Sequence, residues 1–144
     1  MNRAASKEEP ARRVLILDEE PFIQDTLKLN LAGRGLRAEF AENEAEAKSL
    51  LTRGSPPAGV ILDVLHSRLS AYRFLQWLKS QPALEAIPVV ILTFKEKDPE
   101  MAFTYNVWVK AYLSKPFVPQ EVADLVARLV TESERASRSV EERF

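Results

Sequence analysis

The stretch Gly59-Val60-Ile61-Leu62-Asp63-Val64-Leu65 constrains this chain more than any other. It is a short apolar run that delivers a carboxylate, the pattern of a strand buried on both faces of a parallel sheet. In such sheets ligands bind at the carboxyl-terminal edge of the strands. An Asp carried to that edge marks a place for chemistry. Three other runs have the same form. Residues 13–18 end on Asp18, with Glu19 and Glu20 behind it. Residues 87–93 end on Thr93. Residues 109–113 lead into Ser114-Lys115-Pro116.

Helical patterns separate these runs. Pro21 fits a first helical turn, where its missing N–H costs nothing. Phe22, Ile23, Leu27 and Leu31 then recur at about 3.6-residue spacing until Gly33 and Gly35. Leu36-Arg37-Ala38-Glu39-Phe40 alternates apolar and polar and reads as an edge strand. Asn43-Glu44-Ala45-Glu46 has the form of a capping box for a helix ending near Arg53-Gly54. Ser55-Pro56-Pro57 is a turn. Ser70 can cap a third helix carrying Tyr72, Phe74, Leu75 and Leu78. Asp98-Pro99-Glu100 opens a fourth. Residues 119–130 form a fifth, with Val122, Leu125, Val126 and Leu129 on one face. Strand and helix alternate five times, which predicts an α/β fold with a doubly wound parallel sheet and helices on both faces.

Bulk properties narrow the classes. A chain of 144 residues suits one domain with one sizeable core. The net charge of -1 gives no global attraction to nucleic acid or acidic membranes. Cysteine is absent and there is one histidine, which excludes disulfide frames and thiolate zinc sites. No apolar run approaches the ~20 residues that span a bilayer, and the N-terminus lacks a signal-peptide core, so the expected location is cytoplasmic. Residues 1–12 read as a loose arm, 13–130 as the domain, and 131–144 as a charged C-terminal segment. Ala136, Val140 and Phe144 recur every four residues there, yet a frayed tail is the preferred reading over a helix that runs on.

The strand-end residues Asp18, Glu19, Asp63, Thr93 and Lys115 should converge on one pocket. Three carboxylates together repel unless a cation neutralises them. With no sulfur ligand, a hard ion such as Mg²⁺ fits, and it leaves room for phosphate oxygens. A carboxylate can then serve as nucleophile toward phosphorus, with Lys115 and the Thr93 hydroxyl stabilising the phosphoryl oxygens.

This set resembles the receiver domain of bacterial response regulators, close to the chemotaxis-regulator type. Val14-Leu15-Ile16-Leu17-Asp18-Glu19 resembles its first strand and acidic pair, and Val60-Ile61-Leu62-Asp63-Val64 its phospho-acceptor strand. Val89-Val90-Ile91-Leu92-Thr93 resembles the strand with the switch hydroxyl, and Tyr112-Leu113-Ser114-Lys115-Pro116-Phe117 the lysine-proline motif. The separations fit without gaps: 44 from Glu19 to Asp63, 30 on to Thr93 and 22 on to Lys115. The resemblance implies a flavodoxin-like strand order 2-1-3-4-5 and phosphorylation of Asp63 by a sensor histidine kinase or phosphotransfer protein. It implies Mg²⁺ held by Asp18, Glu19, Asp63 and the backbone carbonyl of Leu65. Thr93 and Tyr112 match the switch pair, and Lys115 the lysine that pairs with the phosphate. A downstream protein would dock on the face of the fourth helix, fifth strand and fifth helix, where a homodimer could also form.

Some positions depart from the family pattern. Glu19 replaces Asp, moving the carboxylate out by one methylene. Ser67 stands for Pro and Ala71 for Gly; Ala71 is either strained or on a different loop path. Phe94 either narrows access to Asp63 or turns away. Leu65 and Lys95 occupy positions that tune hydrolysis in the family. Trp108 and Val109 replace Gly-Ala, and Phe103 and Trp108 either serve an interface or fill local core. His66 reads as a surface imidazole. These departures keep an alternative open, a degenerate receiver acting as an unphosphorylated binding module. An Asp-nucleophile phosphatase is a poorer match, because in Asp18-Glu19-Glu20-Pro21-Phe22 the second acid falls one place off. A nucleic-acid-binding output is not expected, since residues after 130 leave no room for a helix-turn-helix.

Overall fold

The structure, a computed structural model, describes residues 12–18, 21–64, 68–93, 109–114 and 117–143. Five strands form one parallel sheet: β1 (Arg12–Leu17), β2 (Leu36–Ala41), β3 (Gly59–Val64), β4 (Val89–Thr93) and β5 (Ala111–Ser114). Their order is β2-β1-β3-β4-β5, the order that the family resemblance implies. The described helices are α1 (Pro21–Ala32), α2 (Glu44–Thr52), α3 (Arg68–Ser80) and α4 (Pro119–Arg143). The helix expected from Asp98 falls outside the described residues. No described helix is long and apolar enough to cross a membrane.

The apolar strands are explained by cover on both faces. On β1, Val14 and Ile16 pack into one cluster while Leu15 and Leu17 join the other. The first cluster holds Leu27 and Leu31 of α1 and Val122, Val126 and Leu129 of α4. The second holds Ala47 and Leu51 of α2 and Phe74, Leu75 and Leu78 of α3. β3 and β4 divide in the same way: Ile61, Val90 and Leu92 face α1 and α4, and Val60, Leu62, Val89 and Ile91 face α2 and α3. A strand with helices on both sides has no polar face to show, so period-2 alternation is lost. β2 at the edge keeps it, with Arg37 exposed between buried Leu36 and half-buried Ala38.

Local chemistry sets the element ends. Gly35 adopts φ 76°, the left-handed conformation that lets the chain leave α1 and enter β2. Arg34 fastens the end of α1 to the start of α4, donating through Nε to Asp124 Oδ1 at 2.6 Å and through Nη1 to the Asn30 carbonyl at 2.7 Å. Asn43 caps α2: its Oδ1 accepts from the Glu46 N–H at 2.8 Å. The return arm of the expected box is displaced by one residue, because Glu46 Oε1 accepts from the Glu42 N–H at 2.9 Å. α3 begins at Arg68, so Ser70 lies in its first turn and is not the cap. Ala71 is therefore in regular helix, and no described non-glycine residue has positive φ. Of the two readings of Ala71, backbone strain is thus excluded.

Two expectations at the termini are corrected. Arg12 belongs to β1, opposite Leu36, and not to the preceding arm. α4 continues to Arg143, so residues 131–143 are not a frayed tail. Extending an existing helix needs no new nucleus, and the segment is rich in the good helix formers Glu and Arg. Arg12 Nη1 also reaches Glu134 Oε1 at 2.9 Å, tying the extension to the start of β1. That pair is well exposed and adds at most ~1 kcal/mol.

At the end of α3, Lys79 Nζ donates to the carbonyls of Glu85 at 2.9 Å and Ile87 at 2.8 Å, closing the turn into β4. Burial, and then the Lys110 charge, push the Lys79 pKa below its usual 10.5, against an upward pull from Glu85. The folded chain thus holds this proton less tightly than the unfolded one, so the site's contribution to stability rises with pH between its folded value and 10.5. Denaturant unfolding on the alkaline side should show the advantage of wild type over Lys79→Met growing through that window; a shrinking gap would contradict the shift. In the same assay at neutral pH, truncating the fully buried Phe74 to Ala should cost about 3–5 kcal/mol.

Candidate functional site

The β1–β3 pairing builds the site. Leu17 lies opposite Leu62, so Asp18 and Asp63, one residue further on, are neighbours at the carboxyl-terminal edge. The Asp18 N–H donates to the Ala41 carbonyl at 3.2 Å, which carries the sheet register one residue past β1. Asp18 is 2% exposed, while Asp63 is half-buried. The next strands extend the row. Val64 pairs with Thr93, and Thr93 with Ser114, the residue before Lys115. Tyr112 lies opposite Ile91 on β5 and packs half-buried against the cluster that contains Leu62 and Ile91.

The sheet therefore brings Asp18, Asp63 and the end of β4 together, with the end of β5 beside them. Of the expected site residues, Glu19, Leu65 and Lys115 lie outside the described residues. So do Ser67, His66, Phe94, Lys95, Phe103 and Trp108.

Two ionised carboxylates at roughly the ~4.8 Å strand spacing repel by about 3 kcal/mol at an effective dielectric of ~20. A cation between them reverses that sign. The donors are oxygens, and the sequence has no cysteine. Mg²⁺ suits such a pair, since it binds through one or two carboxylates and keeps its other positions for water and phosphate. Among the described residues no group of three acids, histidines or cysteines forms.

The model of the response regulator receiver domain matches residues 14–127. The chain belongs to this family. The response regulator Rre1 of Synechocystis sp. is 30% identical over 125 residues, 86% of this chain and 54% of that protein. The response regulator MprA of Mycobacterium bovis is 27% identical over 134 residues, 92% of this chain and 57% of that protein. The chain thus spans about half the length of the curated relatives it matches. Among solved structures, the signal receiver domain of a signal transduction histidine kinase from Syntrophus aciditrophicus has a TM-score of 0.71 at 30% identity, covering 85% of this chain and 92% of that one. The chemotaxis protein CheY4 of Vibrio cholerae has a TM-score of 0.72 at 21% identity, covering 83% and 99%, and shares the fold. The receiver domain is a signalling domain of two-component systems.

The acidic pair makes a prediction about stability. In a chelating buffer, Asp63→Asn should raise the receiver's unfolding free energy by about 1–3 kcal/mol through relief of repulsion. Millimolar Mg²⁺ should narrow the gap by stabilising wild type. Urea unfolding with and without Mg²⁺ measures both, and a variant less stable than wild type in chelator would show that the two acids do not repel.

Proposed function

We propose that this receiver accepts a phosphoryl group on Asp63 in a two-component phosphorelay and that the modification switches a protein-interaction face. The observation that carries the reading is the register of three adjacent strand ends, which sets Asp63 beside Asp18 and one residue from the β4 terminus. The donor is a phosphohistidine of a sensor kinase or phosphotransfer protein. The half-buried Asp63 carboxylate attacks phosphorus in line; an O–P bond forms as the donor's N–P bond breaks, and the imidazole leaves. Asp18, Glu19, Asp63 and the Leu65 carbonyl would hold Mg²⁺, which neutralises phosphoryl and carboxylate charge when bound. Lys115 pairs with a phosphoryl oxygen, and the Thr93 hydroxyl donates to another. As Thr93 turns toward the phosphate, Tyr112 moves inward behind it. That motion changes the face of β5, α4 and the segment between β4 and β5, where a downstream protein or a second copy would dock.

The degenerate alternative rests on Glu19, Phe94 and Trp108. Ala71, its remaining motive, loses force because it sits in regular helix.

Incubating the protein with Mg²⁺ and acetyl phosphate should add the mass of one phosphoryl group, and beryllofluoride should shift amide NMR signals near residue 63. Neither change should occur in Asp63→Asn; equal changes in that variant would refute acceptor chemistry at this residue. Leu65 offers no side-chain group to orient an attacking water, so the phosphoryl group should persist for minutes or longer after donor removal. Loss within seconds would contradict that role of Leu65.

A further inference from the structure

The amino-terminal edge of the sheet, opposite the acids, carries a groove of about 1020 Å³. Four arginines line it, from elements far apart in sequence: Arg12 and Arg13 at the start of β1, Arg37 on β2 and Arg53 after α2. Their opposing charges are unequal. Glu134 pairs with Arg12 at 2.9 Å, and Glu39 pairs with Arg13 at 2.7 Å. Arg13 also donates to the Ser55 carbonyl, so its guanidinium is committed to holding the turn. Arg37 has only a distant contact to the same Glu39, at 3.8 Å, and its side chain is 65% exposed. Arg53 is exposed and makes no ion pair among the described residues. Two exposed guanidinium forks therefore remain in the lining of one groove. The apolar part of the lining includes Pro57, Pro88 and Val130, and the extension of α4 contributes Ser133 and Ser137.

A guanidinium fork matches phosphate oxygens two at a time. Cations on the rim of a concave, largely apolar floor suit a ligand that is anionic at one end and flat and apolar at the other. We infer that this groove binds a nucleoside phosphate, with Arg37 and Arg53 on the phosphates and the proline-lined floor under the base. The site is separate from the acidic edge and does not depend on phosphorylation of Asp63.

Isothermal titration with ATP in a chelating buffer tests it, because removing divalent cations keeps the acidic edge out of the measurement. Wild type should bind saturably at one site. The double variant Arg37→Ala/Arg53→Ala should bind at least tenfold more weakly, and Asp63→Asn should bind as wild type does. Both arginines are exposed, so the double variant should keep its unfolding midpoint, which the same samples report. Tripolyphosphate, which lacks a base, should bind several-fold more weakly than ATP. Absence of saturable binding, or ATP binding unchanged in the double variant, would overturn the inference. Tripolyphosphate equal to ATP would overturn the nucleoside assignment, and a short single-stranded oligonucleotide binding far more tightly than ATP would replace it with a nucleic-acid surface.

Discussion

The parallel pairing of β1 with β3 is the constraint on which the rest depends. Leu17 opposite Leu62 decides that Asp18 and Asp63 emerge side by side. A slip of one residue would send every side chain of a strand to the other face and would separate the acids. The register is secured by burial, since Val14, Leu15, Ile16, Val60, Ile61 and Leu62 are each no more than 2% exposed. Each packs into one of the two apolar clusters, so a slip would break close packing on both faces of the sheet. The apolar core thus holds two carboxylates next to each other at the strand ends.

The fold was legible because its code is coarse. Runs such as Val89-Val90-Ile91-Leu92 have one stable solution when helical patterns lie between them: a parallel sheet covered on both sides. Alternation in residues 36–40 marked the edge strand, and β2 is at the edge. Element ends were less legible, because they are decided by a few hydrogen bonds. Glu46 found the Glu42 N–H in place of the Asn43 N–H, and α3 started two residues ahead of Ser70. The continuation of α4 was less legible for a different reason. Charged residues after Thr131 look like a solvated tail, yet a helix already nucleated by Val122, Val126 and Leu129 propagates through them at little cost.

The acidic edge was legible because strand-end residues inherit their positions from the strands. Asp18, Asp63, Thr93 and Tyr112 are where the strand readings put them. The basic edge was not. Arg12, Arg13, Arg37 and Arg53 come from a strand start, an edge strand and a helix exit, and nothing in the spacing of such residues announces that they meet. The α4 extension hides the same feature, because Glu134 approaches Arg12 only if the helix runs past the end of the core. The family match also stops at residue 127, so the part of α4 that walls the groove lies beyond what the shared domain explains.

These two edges give the molecule an electrical polarity along its strands. Acids stand at the carboxyl-terminal end and guanidinium groups at the amino-terminal end, separated by strands of four to six residues. At ~3.3 Å per residue that separation is on the order of 15–20 Å. Through solvent it exceeds the ~8 Å Debye length at physiological salt, so charge added at one edge is largely screened from the other. Any coupling between them must be carried by packed elements. α4 is the element placed to do so: its first turns are fastened to Arg34 at the end of α1, its middle packs on β1, β3 and β4, and its extension meets Arg12. A change in the seating of α4 on the sheet would reach both edges, whereas a change of charge at either edge alone would stay local.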